Sequence, residues 1–169
     1  MATNRLRRTS LALAGIAASA ALLLSACSSA APGGSSDGEK KIKIGISQFV
    51  QAPPLDAATE GFKKAFIDAG YVEGKTVEFD VKNANAEIAT ASTIAQTFAT
   101  DGVDLVLAVA TPSAQAAVQN IMDVPVLFTA VTDPVAADLV KSNEKPGSNV
   151  TGTSDMSPVA DQIALIKEI

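Results

Sequence analysis

The chain has 169 residues, 47% of them hydrophobic and only 4% aromatic, so a core has to be built from Val, Ile, Leu and Ala. Arg5, Arg7 and Arg8 are the only charged residues before Cys27, and the chain beyond Cys27 carries 10 basic against 18 acidic side chains; an acidic body of this kind excludes the electrostatic footprint of a nucleic-acid binder. With no histidine and one cysteine, the chain has no means to build a His-based triad, a His-ligated metal site, an internal disulfide or a Cys-rich zinc site.

Met1–Arg8 is short and basic, and Leu11–Leu24 is apolar and rich in Ala and Leu. That run is too short for a comfortable membrane span and has the shape of a signal-peptide core. Leu24-Ser25-Ala26-Cys27 then has the form of a bacterial lipobox. It predicts cleavage after residue 26 and a diacylglycerol on the Cys27 sulfur, because the thiol is the strongest side-chain nucleophile available. The plainer alternative is an ordinary signal peptide with a chance cysteine. Lipid chains, rather than a helix, would hold the mature protein to the membrane. Residues 27–40 continue as Gly, Ser, Pro and Asp without any alternation, the composition of a flexible tether.

From residue 41 strand and helix patterns alternate. Lys41–Ile46 alternates polar and apolar residues and predicts a strand. Asp56–Ala69 predicts a helix with Phe62, Ala65, Phe66 and Ala69 on one face, stopped by Gly70. Thr76–Lys82 predicts a strand with Val77, Phe79 and Val81 inward, and Glu87–Asp101 a helix striped by Ile88, Ala91, Ile94, Ala95 and Phe98. Asp104–Ala110 is apolar throughout, as a strand buried on both faces should be. Ser113–Met122 predicts a helix, Val124–Val131 a buried strand, Pro134–Lys141 a short helix and Asn149–Thr153 a fifth strand. Pro158–Ile169 predicts a last helix with Val159, Ile163 and Ile166 on one face, and that uncovered stripe reads as the start of a truncated unit. The fold class expected is α/β: an open parallel five-stranded sheet with helices on both faces, flavodoxin-like in its strand order 2-1-3-4-5.

In such a sheet ligands bind beyond the carboxyl ends of the strands. Those ends read Ser47-Gln48-Phe49, Thr111-Pro112-Ser113, Thr132-Asp133-Pro134 and Ser154-Asp155, with Ser157-Pro158 after the last. A Thr, Asp or Ser before Pro is also a helix-start signature, so Thr111, Asp133 and Ser157 are equally candidate caps. Thr111 and Ser113 add a hydroxyl pair at a helix start, which suits a carboxylate. Asp56 and Asp155 are each candidates for an ammonium group; the alternatives are an N-cap for Asp56 and a solvated turn for Asp155. Phe49 either stacks on a planar ligand or fills the top of the core. No nucleophile elbow, phosphate loop, dinucleotide fingerprint or zinc-protease motif is present. No cofactor or metal is expected, and the chain does not read as an enzyme.

The segments IGISQFV, PLDAATEGFKKAFIDAGYVEGKTVEFD, ATPSAQAA, VPVLFTAVTDPVAADLV and NVTGTSDMSP, in this order, resemble the first lobe of ABC-transporter substrate-binding lipoproteins of the tryptophan/tyrosine-binding type. The resemblance implies a type I periplasmic-binding fold, in which two α/β lobes close on a solute. It implies a first lobe over residues 41–154, and a hinge crossing with the start of a second lobe over 155–169. Carried over, the pocket candidates are Ser47, Gln48, Phe49, Asp56, Thr111, Ser113, Thr132, Asp133 and Asp155. The implied solute is an amino acid, in the narrower reading an aromatic one, with its carboxylate near Thr111 and Ser113. The implied partners are an ABC permease with its ATPase and, through Cys27, the outer surface of the bacterial cell membrane. A ligand-sensing receptor lobe feeding a membrane signalling protein is the alternative function.

Overall fold

Short runs of Val, Ile and Leu, separated by stretches of helical periodicity, give this chain its alternating elements. A computed structural model describes residues 41–168; the signal peptide, Cys27 and the tether expected from the sequence lie outside the described residues. The elements are β1 (Ile42–Gln48), α1 (Pro53–Asp68), β2 (Val77–Asn83), α2 (Ile88–Thr100), β3 (Leu105–Val109), α3 (Thr111–Asn120), β4 (Val126–Val131), β5 (Val150–Ser154) and α4 (Val159–Ile166). The five strands form one parallel sheet in the order β2-β1-β3-β4-β5. This is the flavodoxin-like order the sequence predicts.

The strands read as apolar runs because both faces of the sheet are covered. Val106 and Ala108 of β3 enter a core with Ile94 and Phe98 of α2 and Ala114 and Ala117 of α3. Their neighbours Leu107 and Val109 enter a second core with Ile44, Ile46 and Val77, packed by Leu55, Phe62 and Phe66 of α1. Alternation with period two assigns each β1 residue to a face in the same way. Ile44 and Ile46 face α1, so Gly45 and Ser47 face α2 and α3. Gly45 has to be glycine: a β-carbon there would stand 2.8 Å from the Phe98 ring. Gly152 is equally constrained, since its β-carbon would lie 2.1 Å from the Phe128 carbonyl oxygen. Between β4 and β5 the register slips. Phe128 pairs with Gly152 and Val131 with Ser154, so two β4 residues oppose one of β5, and Ala130 takes φ 54° in this bulge.

Several local expectations are corrected. The helix predicted over Pro134–Lys141 is a series of turns. Asp133 Oδ1 accepts the Val135 and Ala136 N–H groups, but the Leu139 N–H reaches back to the Pro134 carbonyl, and Asp138 has φ 56°. Leu139 and Val140 are consecutive and both buried; a turn tucks both in, whereas a helix would point them about 100° apart. Helix α1 starts three residues before Asp56, at Pro53, with proline in its first turn where no N–H is needed. Ala65 and Ala69 are exposed and only Phe62 and Phe66 of the expected face pack inward. Val81 on the edge strand β2 and Ile88 at the start of α2 are exposed rather than inward, because no helix among the described residues reaches that corner of the sheet. In α4, Val159, Ile163 and Ile166 are all exposed.

Candidate functional site

The carboxyl ends of β1, β3, β4 and β5 lie at one edge of the sheet, and the alternation of β1 sorts the first two candidates. Ser47 points towards α3, where its Oγ lies 3.3 Å from Ser113 Oγ. Both serines are fully buried. Gln48 points the other way, towards α1. Its Nε2 donates to Asp56 Oδ1 at 2.6 Å and to the Val50 carbonyl at 3.0 Å, and its Oε1 accepts the Thr59 hydroxyl at 2.8 Å. Two adjacent residues of one strand thus tie the starts of helices on opposite faces to a single edge.

The start of α3 is built with unusual backbone. Ala110, its N-cap, has φ 80° and ψ 153°, a region that L residues other than glycine avoid at a cost of about 1–3 kcal/mol. Its own N–H is bonded to the Thr129 carbonyl and its carbonyl takes the Ala114 N–H. No side chain caps the helix, so the expected cap role of Thr111 is not found; Thr111 is the first helical residue. Among the described residues nothing accepts the Thr111 or Ser113 N–H groups. Of the two, Thr111 is partly exposed and Ser113 is buried, so the Thr111 N–H is the orphan donor this helix start can offer to an anion.

The other candidates have definite places. Phe49 is half-buried and packs on the α2/α3 core, so it fills the core top. The loop after β2 wraps this tip, with Ala84 and Ala86 donating to the Gln48 and Phe49 carbonyls and with Asn85 and Ala86 at positive φ. Thr132 is exposed and its carbonyl accepts Ser154 Oγ at 2.7 Å. Asp133 caps the turn at residues 134–136. Asp155 is exposed, its N–H bonded to the Val131 carbonyl. Ser157 lies one residue before the α4 N-cap, Pro158, and does not cap that helix. Asp56 is half-buried in the first turn of α1, with Gln48 as its hydrogen-bond partner and no ion pair among the described residues. The structure therefore groups Ser47 with Ser113 and Thr111, and Gln48 with Asp56.

Sequence reasoning missed Thr59 and Ala110. Thr59 was findable: it lies three residues after Asp56 and so on the same helix face. Ala110 carries no signal, since its torsions are set by the surrounding chain.

The inventory is three hydroxyls, two of them bonded to each other, the Thr111 N–H and one carboxylate. Among the described residues each serine has only the other as side-chain partner, and neither is next to a base that could take its proton. The edge is also open, with no opposing wall among the described residues. In open parallel α/β sheets ligands bind beyond this edge.

Comparison with known proteins gives the family. The profile described as "ABC transporter substrate binding protein" matches residues 43–169, and the chain belongs to this family. It is 48% identical over 133 residues to the tyrosine-binding protein of Clostridioides difficile strain R20291, covering 79% of this chain and 39% of that one. A conserved domain protein from Vibrio cholerae superposes with a TM-score of 0.74 at 48% identity, over 77% of this chain and 44% of that one. An ABC domain from Streptococcus pneumoniae, solved in complex with L-Trp, superposes with a TM-score of 0.71 at 39% identity, over 75% and 43% of the two chains. The chain thus spans less than half the length of the relatives it matches. The family is one of solute-binding proteins, not of enzymes.

Proposed function

We propose that residues 41–154 form the first solute-binding lobe of an extracytoplasmic lipoprotein serving an ABC importer. Residues 1–26 are its signal peptide, Cys27 carries the lipid, 28–40 are the tether, and residues 155–169 cross into a second lobe. The solute is an amino acid, and an aromatic one is the narrower choice, in keeping with the tyrosine and L-Trp named for two relatives. The observation that carries the reading is the split of charge along the sheet edge. The Thr111 N–H and hydroxyl lie at the start of α3, and Asp56, which has no ion pair among the described residues, lies at the start of α1. A zwitterion needs a donor set for its carboxylate and an acceptor for its ammonium, and these two helix starts supply them. Thr132, Asp133 and Asp155 line the same edge further out. Closure of a second lobe over this edge would desolvate the solute and signal the loaded state to a permease.

The test is a thermal-shift screen of the 20 amino acids on the full-length protein, followed by calorimetry. A rise in melting temperature with L-tyrosine or L-tryptophan is expected, since a ligand bound only by the native state stabilises it. No shift with any amino acid overturns the reading. The anchor is tested separately: Cys27→Ala should release the protein from membranes and abolish labelling with a fatty-acid analogue.

A further inference from the structure

Gln48 is buried at the tip of β1, and its hydrogen bonds fix it completely. The Val50 carbonyl and the Asp56 carboxylate can only accept, so both amide protons of Gln48 must lie on that side. Its Oε1 therefore faces Thr59, whose hydroxyl must donate to it. Thr59 is buried as well, with 4% of its surface exposed. The chain Thr59 to Gln48 to Asp56 runs one way, and it ends on Asp56 Oδ1. Asp56 Oδ2 has no partner among the described residues. The donor that orients Asp56 is a neutral amide, so it leaves the carboxylate's negative charge uncancelled. A Lys or Arg in place of Gln48 would hold Asp56 equally well and cancel it.

From this we infer that Gln48 and Thr59 are positioning residues, not solute contacts, and that they present Asp56 Oδ2 as a dedicated acceptor for a primary ammonium group. The inference rests on the amino-acid reading above and deepens it. Solutes with the ammonium depend on the relay; solutes of the same shape without it do not.

The experiment compares L-tryptophan and L-tyrosine with their deaminated counterparts, indole-3-propionate and 3-(4-hydroxyphenyl)propionate, by calorimetry on the full-length protein. Thr59→Val removes the donor at nearly constant shape, and Gln48→Met removes the relay. Each should weaken the amino acids by about tenfold and leave the deaminated solutes within about twofold. Thr59→Ser should restore binding. Equal losses for both solute classes, or no loss in Thr59→Val, overturn the inference. A second measurement needs no solute and survives a poorly folding variant. In the nitrogen-15 spectrum of the unliganded protein, the Gln48 side-chain amide should give two widely separated, slowly exchanging proton signals. Asp56→Ala, which removes the acceptor, should collapse the separation; an ordinary, fast-exchanging pair in the native protein overturns the inference. If the native protein binds neither amino acid, the functional reading fails instead, and the amide spectrum still decides whether Gln48 holds Asp56.

Discussion

The two faces of the sheet are filled by different means. On the α2/α3 face many of the buried residues are small: Ala91, Ala95, Ala108, Ala114 and Ala117 are all essentially unexposed, and of the two buried rings, Phe98 and Phe128, Phe98 sits over Gly45. On the α1 face the filling is aromatic and half-open. Phe66 meets Phe62, Tyr71 and Phe79 in tilted or edge-on contacts with centroids 5.2 to 5.9 Å apart. Beside them an open cavity of about 390 Å³ runs from Ala58 and Phe62 across Leu127 to Thr151 and Thr153. Close packing of small side chains leaves little freedom, so the α2/α3 face is the rigid one, and it holds the strained start of α3. The α1 face, which carries Asp56, has room to adjust.

The largest effect should come from breaking the closed face. Phe98→Ala is expected to cost about 3–5 kcal/mol, read by denaturant unfolding. Gly45→Ala attacks the same contact from below and should cost about 1–3 kcal/mol through overpacking. Combined with Phe98→Leu, its cost should fall well short of additivity; full additivity would mean that the Gly45–Phe98 contact is not the cause. On the open face Phe62→Ala should cost only about 1 kcal/mol, because a half-buried ring loses half the transfer energy and its neighbours can relax. A loss as large as that of Phe98→Ala would erase the contrast between the faces. The smallest effect belongs to the sheet margin, where the Lys41 ammonium lies 2.8 Å from Glu78 and holds its carboxyl below the usual 4.5. A carboxyl depressed by folding stabilises the native state above its unfolded value, and that contribution is lost as pH falls through the lower, folded value. Lys41→Met should therefore lower the melting temperature slightly at neutral pH and leave it unchanged in acid, once Glu78 is protonated, so that the acid limb flattens from its neutral side.

How much of this the sequence announces depends on the range of the forces involved. Strand order was legible because period and loop length are local, and the run Leu105–Val109 shows two-sided burial directly. The turns over 134–141 were not, because the demand to bury both Leu139 and Val140 comes from the sheet beneath them. The site shows the same division. Ser47, Gln48, Thr111 and Ser113 follow from the strand ends, as does the proximity of Asp56. Which residues would be joined does not: Ser47 to Ser113 spans 66 positions, and no spacing rule encodes a hydroxyl meeting a hydroxyl at that distance. That Gln48 would be consumed by Thr59 and Asp56 likewise needed the register of β1 against α1.

The strand order has a kinetic side. Because β2 lies outside β1, the central pairing joins β1 to β3, and the bonded residues Lys43 and Asp104 are 61 positions apart. A parallel pair of this separation must close a long loop before it gains any contact, which makes such sheets slow to form. Until β3 is available, β1 exposes one bare edge holding Ile44, Ile46 and the Gln48 tip. For the exported lipoprotein proposed above, that delay would be an advantage, because export requires a segment that has not yet folded.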